Sequence, residues 1–303
     1  MLEVSDLSVA YRALSGDVLA LKNASFSVAD GEIMGLAGES GSGKSTLGRS
    51  LIKLDTRMRH VSGSVSLDGA PLPIDDDRAM IPYRFKRVSI VPQYAMSALN
   101  PTRKIGRMIS ELLASRDVDF DRLRPELERR LTLVDLPIEV LGRYPIELSG
   151  GQKQRVVTVI STLLDPSLLI ADEITSALDV STQKAVARSL VEFRNRGFIK
   201  SAIVITHDLS ILAQMADTIL IMHNGRMVER APVRSIVDNP VHPYTKHLIG
   251  SLPEVGVRYA DKKLAGVSGL KAALDEMDSG QGDVDRPLRE VEPGHWVASW
   301  GRA

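Results

Sequence analysis

The chain has 303 residues, enough to bury a sizeable core and, on size alone, to hold two domains. Hydrophobic residues make up 44% and charged residues 25%, and 38 Lys and Arg are matched by 38 Asp and Glu, so no net field draws nucleic acid or a membrane surface. Cysteine is absent, which excludes disulfides and thiolate-held clusters, and no apolar run reaches the roughly 18–20 residues of a spanning helix.

The first residues, MLEVSDLSVAY, alternate as a strand and lack the basic-then-apolar form of a signal peptide. ALKNASFSVADGEIMGLAG predicts two strands around a turn at Asp30-Gly31. GESGSGKST then opens a helix that runs to about Leu54. SGSVSLDGAPL predicts a strand with an Asp-Gly turn, and RVSIVPQ an apolar strand ending at Pro92. From Tyr94 to Tyr144 the chain is charged, helix-prone and poor in β-branched runs, so a helical insertion is expected there. SLLIADE and SAIVITHD are continuous apolar runs ending in polar residues, the pattern of buried parallel strands. Thr182 to Asn195 has helical spacing, and Asn224-Gly225 marks a hairpin. From about Val255 periodicity fades, and DEMDSGQGDVDR has the composition of a mobile linker.

The chemistry concentrates where strands end. Gly38, Glu39, Ser40, Gly41, Ser42, Gly43, Lys44, Ser45 and Thr46 form G-x-x-x-x-G-K-[ST] and its next residue, between an apolar strand and a helix. Glycines let backbone N–H groups wrap phosphates, and the helix N-terminus adds partial positive charge. Lys44 is expected to reach the β- and γ-phosphates of a nucleotide, and Ser45 to ligate Mg²⁺. LLIADE places Asp172 at the carboxyl end of a buried strand, beside that loop, as a second holder of Mg²⁺. Glu173 follows as a candidate proton acceptor for an attacking water. His207 ends another core strand and is expected at the γ-phosphate. Gln93 closes VSIVPQ and offers an amide oxygen to Mg²⁺ or the water. Tyr11, with Arg12 nearby, offers a ring to adenine, with core packing as the competing role. A second run of small residues, Ser149, Gly150 and Gly151 in ELSGGQKQR, precedes another helical pattern and exposes a second set of amides.

The order Tyr11, GESGSGKST, Gln93, LSGGQ, LLIADE, SALD and His207 resembles the ATP-binding cassette (ABC) ATPases, the engine subunits of ABC transporters, over about residues 1 to 240. The resemblance implies an α/β P-loop NTPase core of RecA-like form over 1–93 and 145–237, with an antiparallel β subdomain. It also implies a permease-facing helical insertion over 94–144 and a C-terminal extension over 238–303. ATP and Mg²⁺ are the implied cofactors. It further implies that Ser149, Gly150, Gly151 and Gln152 close over ATP held by a second cassette, identical or paralogous, and that Asp179 of SALD joins the nucleotide site. ATP would then hold the dimer shut and hydrolysis would release it.

SALNP, NPVHPYTKHLIGSLP and PLREVEPGHWVASW look like the oligopeptide, dipeptide and nickel importer ATPases. The implied partners are two integral-membrane permease chains and, indirectly, an external substrate-binding protein, with no nucleic acid. The implied place is the cytoplasmic face of the plasma membrane. Two positions depart from the pattern: Ser299 stands where that tail often has a cysteine, and Ile174 where the family usually has proline. A cassette acting in DNA repair or translation would carry a long coiled-coil insertion or two cassettes, and a degenerate cassette would lack Glu173 or His207.

Overall fold

The computed structural model describes residues 1–13, 16–53, 55–175, 178–251 and 287–300. Two sheets carry the fold. An antiparallel sheet is built from β1 (Leu2–Ala13), β2 (Gly16–Val28), β4 (Met58–Leu67) and β5 (Ala70–Pro71), in the order β2-β1-β4-β5. The larger sheet contains β3 (Ile33–Ala37), β6 (Val88–Val91), β7 (Leu168–Asp172), β8 (Ser201–Ile205), β9 (Thr218–His223), β10 (Arg226–Pro232), β11 (Leu288–Glu292) and β12 (His295–Ala298). Its order is β11-β12-β10-β9-β3-β8-β7-β6, parallel from β9 through β6 and antiparallel from β9 outward to β11.

The helices are α1 (Lys44–Ser50), α2 (Asp77–Met80), α3 (Ile105–Ala114), α4 (Phe120–Leu133), α5 (Gly150–Thr162), α6 (Val180–Asn195), α7 (Leu209–Met215), α8 (Val233–Asp238) and α9 (Pro243–Gly250). Every residue of β3, β7 and β8 is buried, which is why these strands read as unbroken apolar runs. One core lies between the large sheet and α3 to α8; the second lies between the two sheets and encloses α1. Gly48 seats α1 on the sheet: a Cβ there would stand 2.6 Å from Ile205 and 3.1 Å from Ile170.

Three expectations change. The strands flanking Asp30-Gly31 do not pair with each other; β2 belongs to the antiparallel sheet and β3 to the parallel one. The cause is β3 itself, IMGLA, which is apolar on both faces and is buried between β8 and β9. The helix after the phosphate loop ends at Ser50, short of Leu54, and a turn follows it. The tail, read without strands, forms the hairpin β11–β12, and β12 pairs with β10 through Glu229–Val297 and Arg230–Trp296. The expected linker DEMDSGQGDVDR lies outside the described residues.

The insertion from 94 to 144 holds α3 and α4 as expected. Its firmest tie to the core is Arg130 of α4, fully buried, which bonds Glu126, Asp165 and the Thr162 carbonyl and lies 4.0 Å from the Phe198 ring centre. No helix among the described residues is long and apolar enough to cross a membrane.

Candidate nucleotide site

The carboxyl ends of β3, β7 and β8 converge on the loop from Gly38 to Lys44. Gly38 takes φ 146° and Gly43 takes φ 101°; a Cβ would lie 2.2 Å from the Met222 carbonyl at the first and 2.8 Å from the Ala20 carbonyl at the second. Only glycine fits either position. The Lys44 ammonium reaches back to the Gly38 and Glu39 carbonyls at 2.8 and 2.7 Å and to the Ser42 hydroxyl at 3.3 Å. That cation fixes the curl of the loop from inside. Burial lowers the Lys44 pKa, and Glu173, Asp172 and Glu39 oppose the shift.

Ser45 donates its hydroxyl to Asp172 Oδ1 at 2.9 Å. Asp172 Oδ2 has only an ion pair with Arg49 at 3.4 Å, longer than a good hydrogen bond. Burial pushes the Asp172 carboxyl up, and the Ser45 hydroxyl and Arg49 pull against it. A buried carboxylate with one loosely held oxygen, beside a hydroxyl, is the donor set of a hard cation such as Mg²⁺. The open glycine loop and this oxygen pair therefore fit Mg-ATP.

Glu173 sits at φ 52°, a left-handed conformation that non-glycine residues rarely adopt. Its N–H donates to the Ile205 carbonyl at 2.8 Å, locking the end of β7 to the end of β8. Its carboxylate lies 3.2 Å from His207 Nδ1. Gln93 follows β6, which is the neighbour of β7 through Val91–Ala171, so Gln93 and Asp172 end adjacent strands. Ile174 is buried in the helix-side core, directly after Asp172 and Glu173.

A family model described as "ABC transporter" matches residues 21–176, and one described as "Oligopeptide/dipeptide transporter, C-terminal region" matches 228–282. The oligopeptide transport ATP-binding protein OppF of Lactococcus lactis subsp. lactis is 33% identical over 98% of this chain and 95% of its own. The chain belongs to the ABC transporter ATP-binding family. The probable D,D-dipeptide transport ATP-binding protein DdpD of Escherichia coli is 35% identical over 85% of this chain and 80% of its own. Among solved structures, a bacterial ABC transporter cassette determined as a dimer superimposes with a TM-score of 0.67 at 25% identity, over 77% of this chain and 99% of that one. This ABC ATPase is thus an ATP-hydrolysing enzyme on a P-loop α/β fold.

The remaining expected site residues of this ATPase sit on other elements. Tyr11 is on β1, paired across to Val18 and Met58 and partly buried against the inter-sheet core. Ser149 caps α5: its hydroxyl accepts from the Gln152 N–H at 3.3 Å, and the Gln152 side chain accepts from the Ser149 N–H at 2.9 Å. Gly150 and Gly151 open the first turn, where N–H groups have no partner inside the helix. Gly151 packs on Thr182, where a Cβ would come within 2.8 Å of its methyl. Asp179 caps α6, accepting from the Thr182 N–H at 3.0 Å and its hydroxyl at 2.6 Å. The hydroxyls of Thr182 and Ser181 hold the Asp179 carboxyl well below its ordinary range.

Two contacts to the phosphate loop were missed by the sequence reading. Gly225 donates its N–H to the Ser42 carbonyl at 2.9 Å, and the Glu39 N–H donates to the Tyr244 hydroxyl at 2.9 Å. The Tyr244 segment, NPVHPYT, was legible only as a signature of the peptide-importer group.

Proposed function

We propose that this ATPase powers import of peptides through a membrane complex, working as one of two cassettes that share their nucleotides. One observation carries the shared-site part. The second amide cradle, at Ser149 to Gly151, belongs to α5, whose main neighbours among the described residues are α4, α6, β6 and the turn 95–97. It is flanked by exposed apolar residues, Ile146 at 82% and Val180 at 65% exposure. An amide cradle with an apolar rim is built to meet another chain. The peptide cargo is supported by the C-terminal region match and by the names of the relatives.

Bound Mg-ATP supplies the phosphoryl group and the cation. Lys44 would neutralise charge on the phosphates, while Ser45 and Asp172 would hold Mg²⁺ and Gln93 would offer a third oxygen. Glu173 orients a water and takes its proton at the carboxylate. His207 holds that carboxylate through Nδ1 and would meet the γ-phosphate with its other nitrogen. Tyr11 would stack on adenine, and Asp179, which caps α6 beside Gly151 through Thr182, would join the nucleotide site. Tyr94, 67% exposed, and the exposed Ser97, Ala98, Asn100 and Pro101 would form the permease-facing surface of the insertion. The working place is then the cytoplasmic face of the membrane, beneath two permease chains served by an external binding protein.

Purification of the tagged protein from its native membrane tests this reading. Two permease chains and a second cassette are expected to co-purify, and disruption of the gene is expected to abolish uptake of labelled peptide. Co-purification with soluble partners alone would overturn it.

A further inference from the structure

The phosphate loop of this chain is held from behind by its C-terminal region. Tyr244 of α9 is buried, and its hydroxyl takes the N–H of Glu39, the second residue of the loop, at 2.9 Å. Its ring lies 4.2 Å from the His223 ring, at the end of β9 beside the Asn224-Gly225 turn that bonds Ser42. Two points on the loop are therefore pinned from the same side.

Tyr244 is in turn fixed by a buried polar cluster. The Glu229 carboxylate, fully buried on β10, accepts from the Val241 and His242 N–H groups at 2.8 and 2.9 Å and lies 2.7 Å from His295 Nε2 on β12. His242 Nδ1 accepts from the Tyr244 N–H at 3.2 Å, capping α9, and the Trp300 ring meets the His242 ring edge-on at 5.3 Å. The tail hairpin, the start of α9 and the phosphate loop thus form one connected set of contacts.

We propose that Tyr244 is a positioning residue for the phosphate loop, and that the C-terminal tail sets nucleotide affinity through it. The proposal rests on the reading of Gly38 to Ser45 as the ATP site. A glycine-rich loop has many conformations when empty, and ligand affinity falls by the fraction of time it spends in the competent one. Satisfying the Glu39 amide with the hydroxyl of a buried side chain on a capped helix raises that fraction. The amide is thereby committed to the protein, and the phosphates are left to the amides further along.

Tyr244→Phe in the full-length protein removes only the hydroxyl and leaves the ring against His223. Calorimetric titration with ATP is expected to show affinity reduced about fivefold, the effect of one buried hydrogen bond. Hydrogen exchange at the Glu39 amide should accelerate in the nucleotide-free protein. In the transporter complex KM for ATP rises while kcat stays within about a factor of two, because a bound loop is already in place. Unchanged ATP affinity, or a fall in kcat at constant KM, overturns the positioning role. His295→Ala, which releases the tail hairpin from Glu229, should weaken ATP in the same direction; wild-type affinity there overturns the role of the tail. Lys44→Ala separates the two levels of the claim. If it binds ATP normally, the ATP-site reading itself fails; if it does not bind while Tyr244→Phe matches wild type, only the positioning proposal fails.

Discussion

The chain carries two amide cradles, and they are held in opposite ways. The loop from Gly38 to Ser45 is braced on every side by its own chain: by Lys44 within, by Gly225 and Tyr244 behind, and by the floor of β3 and β8. The turn at Ser149 to Gly151 has one local capping box and contact with Thr182. The first is preorganised for its ligand. The second displays helix N–H groups at a surface with an apolar rim, and the fold gives it nothing to bind. On the shared-site proposal, bracing marks the half of a composite site that holds ATP in its own chain, and the unbraced turn is the half offered to a second chain.

The largest break in this comparison comes at the chemical step, which belongs to the braced half. Glu173→Gln keeps the size and the strand end but removes the proton acceptor. General-base assistance is worth ~10²–10⁴ in rate, so kcat should fall by about that factor while ATP binding persists. A dimer trapped with ATP, seen by size-exclusion chromatography, is the expected companion. Near-normal steady-state ATPase would remove Glu173 from that role.

Lys44→Ala attacks the brace of the first cradle. It removes a buried cation from two carbonyls and from the phosphates. Charged hydrogen bonds are worth about 1.5–3 kcal/mol each, so ATP affinity should drop by ~10²-fold or more. Isothermal calorimetry reads this directly, and turnover should vanish with it. Ser149→Arg attacks the second cradle and should behave differently. Added bulk keeps amides from approaching phosphate to about 2.7–3.2 Å, so ATP-driven dimerisation and hydrolysis fail while binding to the monomer is kept. Mixing the two mutants sharpens the contrast. Shared sites put both defects into one composite site and leave the other intact, so the mixture should trap more nucleotide than either mutant alone. With an obligate paralogue the two changes go on opposite subunits. A mixture no better than its components would show that Ser149 to Gly151 does not act across the interface.

Much of the braced half was legible because its rules are local. A glycine spacing between a strand and a helix has one physical use, and buried parallel strands declare themselves as IMGLA, LLIAD and SAIVI. The failures were non-local. Asp30-Gly31 signalled a turn truthfully, yet nothing nearby says that the next strand joins another sheet. The β11–β12 hairpin has strands of five and four residues around Pro293-Gly294, too short for alternation to stand out after an aperiodic stretch. Tyr244 lies 205 residues from Glu39, so no spacing rule could join them. Asp179 and Ser149 stand in the sequence as expected site residues only through the resemblance, and the structure shows that both are helix caps, an ordinary role that leaves Gly150 and Gly151 as the distinctive feature.

The smallest expected effect is at Asp68, which touches neither cradle. It stands at the turn between β4 and β5 and ties the antiparallel sheet to the base of the parallel one. Burial pushes its carboxyl up, but the Ser167 hydroxyl, the Met1 ammonium and Lys200 outweigh that and bring the pKa down to about 2. The Ser167 hydroxyl donates at 2.7 Å and Arg87 at 2.8 Å. A carboxyl depressed in the folded state stabilises the fold above its ordinary pKa, 3.8, and that contribution is lost as pH falls toward about 2. Most of these partners are solvent-exposed, so screening reduces the contribution to about 1 kcal/mol. Asp68→Asn should therefore lower the melting temperature by a few degrees at pH 7, with the difference from wild type closing between about pH 4 and pH 2. ATP affinity and trapping should be unchanged, because the loop's braces lie elsewhere. If Asp68→Asn weakened ATP binding as much as Tyr244→Phe, the tightness of the first cradle would be a property of the whole fold and not of its named contacts, and the contrast between the two cradles would lose its cause.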